Sequence, residues 1–247
     1  MSTETKKVAL ITGANRGLGL ETARQLGRQG ITVLVGARDW KKAHDAEATL
    51  KAEGIDAHAI KLDVTSTADH KAVAQAIEKQ FGKLDILVNN AAIGEHAGFG
   101  MNTTATISEA ELHTIFETNF FGVVALTQTL LPLIKRSDAG RIVNVSSLQG
   151  SMNMHTDTRA FFYSLKPFGY DASKTALNVF TIHIAHALKE TKIKVNAVHP
   201  GWVKTDMGSD AAPLEIPEGA KTQVAMALLG EDGPTGSYIH AGETIPW

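Results

Sequence analysis

The apolar positions of this chain fall into two alternating patterns. Val8 to Ile11 is an unbroken apolar run behind two lysines, too short for a helix, and it predicts a strand covered on both faces. Further strands are expected at Ile31–Ala37, Ala57–Leu62, Leu84–Asn89, Arg141–Val145, Lys194–Val198 and Gly236–His240. Between them the spacing is helical. Leu18, Leu20, Ala23 and Leu26 open the first helix, and Asp39 is a suitable N-cap for a second that runs to Glu53 and is closed by Gly54. Helices follow over Thr67–Phe81, about Ser108–Ser137 with Pro132 kinking or ending it, and about Tyr170–Glu190. Strands that alternate with helices in this way predict an α/β fold with a mostly parallel central sheet. No repeat, linker or low-complexity segment divides the chain, so one domain over residues 1–247 is expected. The stretch Gly150 to Gly169 has poor periodicity.

Composition narrows the partners more than the chemistry. A hydrophobic content of 43%, 20% charged residues and a net charge of −2 call for neither nucleic acid nor an anionic membrane. The polar start MSTETKK fits neither a signal peptide nor a membrane span, and the lack of cysteine removes disulfides and thiol chemistry. A cytoplasmic location is the expectation.

Candidate chemistry gathers where the strands end. Gly13, Gly17 and Gly19 supply a turn between the first strand and its helix, where free N–H groups and the positive end of the helix dipole suit a pyrophosphate. Ser146 and Ser147 follow the strand Arg141–Val145. Tyr170 and Lys174 lie one helical turn apart on one face, and an adjacent ammonium favours a phenolate and lowers the tyrosine pKa. Tyr163 is a rival, but Pro167 disfavours helix at Lys166. Asn119 sits inside a helical stretch, where asparagine usually needs a reason; a bulge or a bound water would supply one. His183 and His186 share a helix without a companion carboxylate or cysteine cluster, and no metal is expected.

Thr12-Gly13-x3-Gly17-x-Gly19, Asp63-Val64, Asn89-Asn90-Ala91, Ser147, Tyr170-x3-Lys174 and Pro200-Gly201 together resemble the short-chain dehydrogenase/reductase family over nearly the full chain, its NADPH-dependent carbonyl reductases most. The resemblance implies a doubly wound Rossmann fold and a catalytic tetrad of Asn119, Ser147, Tyr170 and Lys174. Ser147 is preferred to Ser146 because the second serine of the family's SSxxG motif holds that role. Cofactor contacts are implied for Gly13, Asn15, Arg16, Gly17, Leu18, Gly19, Arg38, Asp63, Val64, Asn90, Ala91, Pro200, Gly201, Val203 and Thr205, with Tyr170 and Lys174. Ala37 stands where NAD-dependent relatives carry aspartate, and Arg38 follows it. A guanidinium fork matches phosphate oxygens, and Arg16 is expected to approach from the other side, so NADPH is the expected cofactor.

The implied reaction is hydride delivery to a ketone or aldehyde, with Tyr170 as general acid, Ser147 bonding the carbonyl oxygen, Lys174 binding the ribose and lowering the Tyr170 pKa, and Asn119 holding a water. Loops 93–107, 148–169 and 202–216 are expected around the substrate, with Ile93, Phe161, Phe162, Trp202 and Met207 as apolar walls for a small hydrophobic carbonyl compound. Other readings are an NADP(H)-binding sensor without turnover and an NAD-dependent alcohol dehydrogenase. Two features depart from the family pattern: Ala92 replaces the glycine of NNAG, and Gly150–Gly169 resembles an insertion. Its aromatic residues are expected either over the pocket or against the Tyr170 helix, and both monomer and homodimer remain open.

Overall fold

The computed structural model describes residues 6–96, 103–160 and 162–247. The expected strands are present as β1 (Val8–Thr12), β2 (Thr32–Ala37), β3 (Ala57–Lys61), β4 (Ile86–Asn89), β5 (Arg141–Val145), β6 (Lys194–Val198) and β7 (Tyr238–His240). A two-residue strand, β8 (Glu243–Thr244), pairs antiparallel with β7; it is exposed and carries no apolar pattern that sequence could reveal. All belong to one sheet in the order β3-β2-β1-β4-β5-β6-β7-β8, parallel up to β7. The order reverses between β1 and β4, so the doubly wound Rossmann topology is present, and its crevice opens beyond the carboxyl ends of those two strands.

Helices α1 (Gly17–Arg28), α2 (Trp40–Ala52), α3 (Thr67–Phe81), α4 (Glu109–Phe116), α5 (Gly122–Ile134), α6 (Met152–Thr156), α7 (Phe168–Ala187) and α8 (Ile216–Ala227) cover both faces of the sheet. Alternate β1 residues serve opposite cores. Ala9 and Ile11 pack with Leu26 and Leu50 on one side, while Val8 and Leu10 pack with Ile77, Leu126 and Ile184 on the other. This explains why the strand has no polar alternation. Asp39 caps α2, its side chain accepting from the Lys42 N–H at 3.1 Å. Helix α8 escaped the pattern because the face it buries is made of small or polar residues, Gly219, Ala220, Thr222, Gln223 and Ala227, with Met226. No helix among the described residues is long and apolar enough to cross a membrane.

The expected single helix over Ser108–Ser137 is two helices joined by a π-helical segment, Glu117–Phe121. The extra residue in that turn lets Asn119, 1% exposed, face inward. A bulge is therefore the reason asparagine is tolerated there. Pro132 lies inside the helix, which ends two residues later at Ile134, short of Ser137. Gly122 ends the π-helical segment, its N–H donating to the Glu117 carbonyl, and lies so near the β3–α3 connection that a Cβ would stand 2.2 Å from the Val64 carbonyl oxygen. We therefore expect Gly122→Ala to cost about 1–3 kcal/mol of stability by overpacking, read as a lower midpoint in urea; an unchanged midpoint would contradict this contact.

Candidate active site

The crevice is a cleft of about 1350 Å³ along the carboxyl edge of the sheet. Its floor is set by one hydroxyl. Thr12 Oγ1 accepts from the N–H groups of Asn90 and Ala91, each at 2.9 Å, while Asn90 Nδ2 donates to the Thr12 carbonyl at 2.9 Å. The glycine loop is thus fixed to the end of β4. A Cβ on Gly19 would lie 2.5 Å from the Gly13 carbonyl oxygen and 2.6 Å from Asn90 Nδ2, so glycine is required there for close packing. Gly17 has a φ of +55° and opens toward Thr205 across the cleft. The N-terminus of α1 begins after Arg16 without a side-chain cap. Its N–H groups face the cleft and suit an anionic pyrophosphate.

Beyond β2 and β3 the cleft is lined by Arg38, Lys42 and Asp63. Burial works against the Asp63 carboxylate. Hydrogen bonds from the Thr65 N–H and hydroxyl, with the nearby Arg38 charge, nevertheless hold its pKa below the usual range. Lys42 was not singled out by sequence, although a second cation one helical turn beyond Arg38 was the available signal. Arg16 departs from expectation: its guanidinium pairs with the Asp206 carboxylate and ties the glycine loop to the 202–216 loop instead of turning to Arg38.

At the other end Ser146, Tyr170 and Lys174 line the cleft, while Ser147 and Asn119 stand behind Tyr170. The Ser147 and Tyr170 hydroxyls share a hydrogen bond. Lys174 Nζ lies 5.6 Å from the Tyr170 ring centre and donates to the Val145 carbonyl at 2.8 Å. Asn119 clamps Ile93, accepting from its N–H and donating to its carbonyl, both at 2.9 Å. Its amide also donates to Ser173 Oγ at 3.0 Å, and Ser173 donates to the Tyr170 carbonyl at 2.7 Å. Ser173 was missed by sequence; it is a buried polar residue one turn after Tyr170. Burial raises the Tyr170 phenol to about 12 against the Ser147 hydrogen bond, and lowers the Lys174 ammonium to about 7. The expected depression of the tyrosine pKa by its lysine is therefore reversed here, because desolvation penalises both charged forms.

A family model described as short chain dehydrogenase matches residues 7–215. The chain belongs to the short-chain dehydrogenases. It is 35% identical to carbonyl reductase (NADPH) 1 of Sus scrofa, over 100% of this chain and 96% of that protein. Likewise, it is 33% identical to a (+)-neomenthol dehydrogenase of Arabidopsis thaliana, over 97% of each. Among solved structures, NADPH-bound carbonyl reductase from chicken fatty liver superposes with a TM-score of 0.85 at 27% identity, covering 98% of this chain and 99% of that one. This short-chain dehydrogenase is thus an oxidoreductase of the carbonyl-reductase-like group.

Within this family frame, the expected cofactor-facing residues line the cleft except Gly201 and Val203. Gly201 instead turns the chain with a φ of +91°, and Val203 is buried against Gly219 of α8. Ala92 has no positive φ, so the alanine in place of the family's glycine brings no backbone strain. Of the expected substrate walls, Ile93 and Met207 line the cleft. Trp202 does not; its indole N–H donates to the Gly208 carbonyl at 2.6 Å within its own loop. Phe162 is buried against His155, with ring centres 6.0 Å apart. Phe161 and residues 97–102 of the first substrate loop lie outside the described residues.

The 150–169 stretch packs on the start of α7. His155 Nε2 donates to the Gln149 carbonyl at 2.7 Å and lies 3.6 Å from Asp171, beside Tyr170. Burial pushes the Asp171 carboxyl up to about 8, with Glu95 adding in the same direction and Lys166 opposing. The folded chain then holds a proton that the unfolded chain releases near pH 4. Stability from this group is full below about pH 4 and is lost as pH rises through about 8. We expect the melting temperature of the unmodified protein to fall from pH 5 to pH 8 relative to that of Asp171→Asn. Parallel melting curves against pH for the two proteins would contradict the shift.

Proposed function

We propose that this short-chain dehydrogenase reduces the carbonyl of a ketone or aldehyde with hydrophobic substituents, using NADPH, and that Tyr170 donates the proton. The observation that carries the reading is that Tyr170, which Ser147 hydrogen-bonds, and Lys174 line one cleft together with Arg38 and Lys42. Arg38 and Lys42, with Ala37 in place of an acid, favour a 2′-phosphate over a 2′-hydroxyl. Carbonyl reductase relatives that use NADPH by name support the same choice. When bound, the nicotinamide supplies the hydride for the carbonyl carbon.

A phenol near 12 is protonated throughout the physiological range, so Tyr170 is held as an acid ready to give its Oη proton to the substrate oxygen. Ser147 Oγ, already bonded to that phenol, donates to the same oxygen as negative charge gathers on it. Burial lowers the Lys174 ammonium to about 7, which makes it a readier proton donor to a phenolate formed at Tyr170. The Asn119–Ser173 chain fixes the backbone of Tyr170, and its bonds to Ile93 hold one apolar wall. Ile93 and Met207 suit an apolar substituent, and the cation of Lys204 is engaged by Glu215 rather than free for a carboxylate.

Tyr170→Phe should lower turnover of an aromatic ketone by at least ~10²-fold, because the proton donor is gone. NADPH binding, followed by fluorescence, should stay near that of the unmodified protein. Retained turnover would remove Tyr170 from the mechanism.

Arg38→Asp should reduce the preference for NADPH over NADH, as a ratio of kcat/KM, by ~10-fold or more, the discrimination expected from about 1.4 kcal/mol of charge-assisted contact. Equal use of the two cofactors by the unmodified protein would favour the NAD-dependent reading instead.

A further inference from the structure

One peptide group is held at both of its polar ends by side chains from neighbouring strands, and it is the group that follows Ser147. Its carbonyl, that of Ser147, accepts a hydrogen bond from the Tyr238 hydroxyl. Its N–H, that of Leu148, donates to His199 Nδ1 at 3.1 Å. Tyr238 belongs to β7, and His199 directly follows β6. Backbone hydrogen bonds secure both: His199 N–H donates to the Ile239 carbonyl at 2.9 Å, and Ser146 N–H donates to the Val198 carbonyl at 2.8 Å.

Each arm is itself braced. Tyr238 is fully buried, and the Trp247 ring stacks on it with centres 5.4 Å apart and planes 20° from parallel. His240 packs its ring 4.7 Å from that of His199 and bonds the His199 carbonyl through Nδ1 at 2.9 Å. Burial and the neighbouring His240 push the His199 pKa down to about 3, which keeps the ring neutral, and the bond from the Leu148 N–H places the lone pair on Nδ1. Burial likewise raises the Tyr238 phenol, which remains a donor. Ordinary strand packing asks for neither bond. A phenylalanine would fill the Tyr238 site and stack equally well on Trp247, and an exposed turn could leave the Leu148 N–H to water.

We propose that Tyr238 and His199 are positioning residues that lock the plane of the Ser147–Leu148 peptide and thereby aim Ser147 Oγ at the carbonyl oxygen. The peptide plane fixes ψ of Ser147 and the place of its carbonyl carbon, one corner of the frame from which Cβ projects, and the Gln149 N–H holds Oγ at the end of the one remaining rotatable bond. A tilt of this plane that carries the Ser147 carbonyl carbon with it re-aims the Cα–Cβ bond and displaces Oγ, which weakens a bond that must shorten in the transition state. Neither side chain lines the cleft. The consequence for rate rests on the carbonyl-reduction reading above.

The test uses the full chain with Tyr238→Phe, which deletes only the hydroxyl, and His199→Ala, each made also in a Ser147→Ala background. Tyr238→Phe is expected to lower kcat for an aromatic ketone about 10-fold, with KM and the NADPH dissociation constant within about twofold. In the Ser147→Ala background the same change should cost less than about twofold, since there is no hydroxyl left to aim. An equal loss in both backgrounds, or no loss in either, overturns the proposal. A second readout needs no turnover: solvent exchange of the Leu148 amide, followed by NMR, should quicken at least 10-fold in His199→Ala and measurably in Tyr238→Phe. Unchanged exchange in both variants overturns the clamp. Quickened exchange in a protein whose unmodified form reduces no carbonyl would retain the clamp and defeat the carbonyl-reduction reading alone.

Discussion

The bonds that join Thr12 to Asn90 and Ala91 are the constraint on which the site depends. They tie the carboxyl ends of two parallel strands that run side by side where the strand order reverses. Because this spot is the switch point, the connections leaving it diverge to opposite faces and open a crevice. Without the Thr12 hydroxyl, the Ala91 N–H would lose its acceptor and the Asn90 N–H would keep only the Val88 carbonyl. The close approach of Gly19 to Gly13 and Asn90 then brings the start of α1 down onto the floor of the cleft. The amides at the start of α1, the polar residues around Tyr170 and the end lined by Arg38 and Lys42 are all placed relative to this joint.

Burial organises the chemistry as much as proximity does. Tyr170, Lys174 and Asn119 are each almost wholly enclosed, so a charge on the phenol or the amine is disfavoured and both drift toward neutrality. A neutral phenol beside a lysine lowered to about 7 is what burial leaves at this end of the cleft. The π-helical segment belongs to the same design. It turns Asn119 inward, where a regular helix would have placed it differently, and so links the wall at Ile93 to the backbone of Tyr170 through Ser173.

The 150–169 stretch takes a supporting place. Phe162 is buried beside His155, which reaches the Gln149 carbonyl and approaches Asp171 at the start of α7, and Lys166 bonds His155 in turn. Its described residues therefore pack on the helix that bears Tyr170 rather than lining the cleft. The C-terminal segment joins this support, since Asn153 N–H donates to the Trp247 carbonyl and Ser151 Oγ to that of Pro246. The far side of the site is thus a packed assembly of segments distant in sequence.

Local constraints were legible in the sequence because each is written in a few adjacent residues. A strand covered on both faces must be a continuous apolar run, a tight turn must contain glycine, and a tyrosine and lysine four apart on a helix must share a face. Seven strands, the glycine loop and the Tyr170–Lys174 pair followed from that. Helix α8 did not, because small residues that pack closely leave little hydrophobic signal, and neither did β8, which buries nothing. Side-chain pairing across long sequence distances was decided only by the tertiary structure. Arg16 chose Asp206 over the cationic end, Trp202 turned into its own loop, and Tyr238 and His199 converged on one peptide group. The same holds for the pKa values of Tyr170 and Lys174: their spacing is fixed by the helix, but the desolvation that sets the sign of their shifts comes from the elements packed around them.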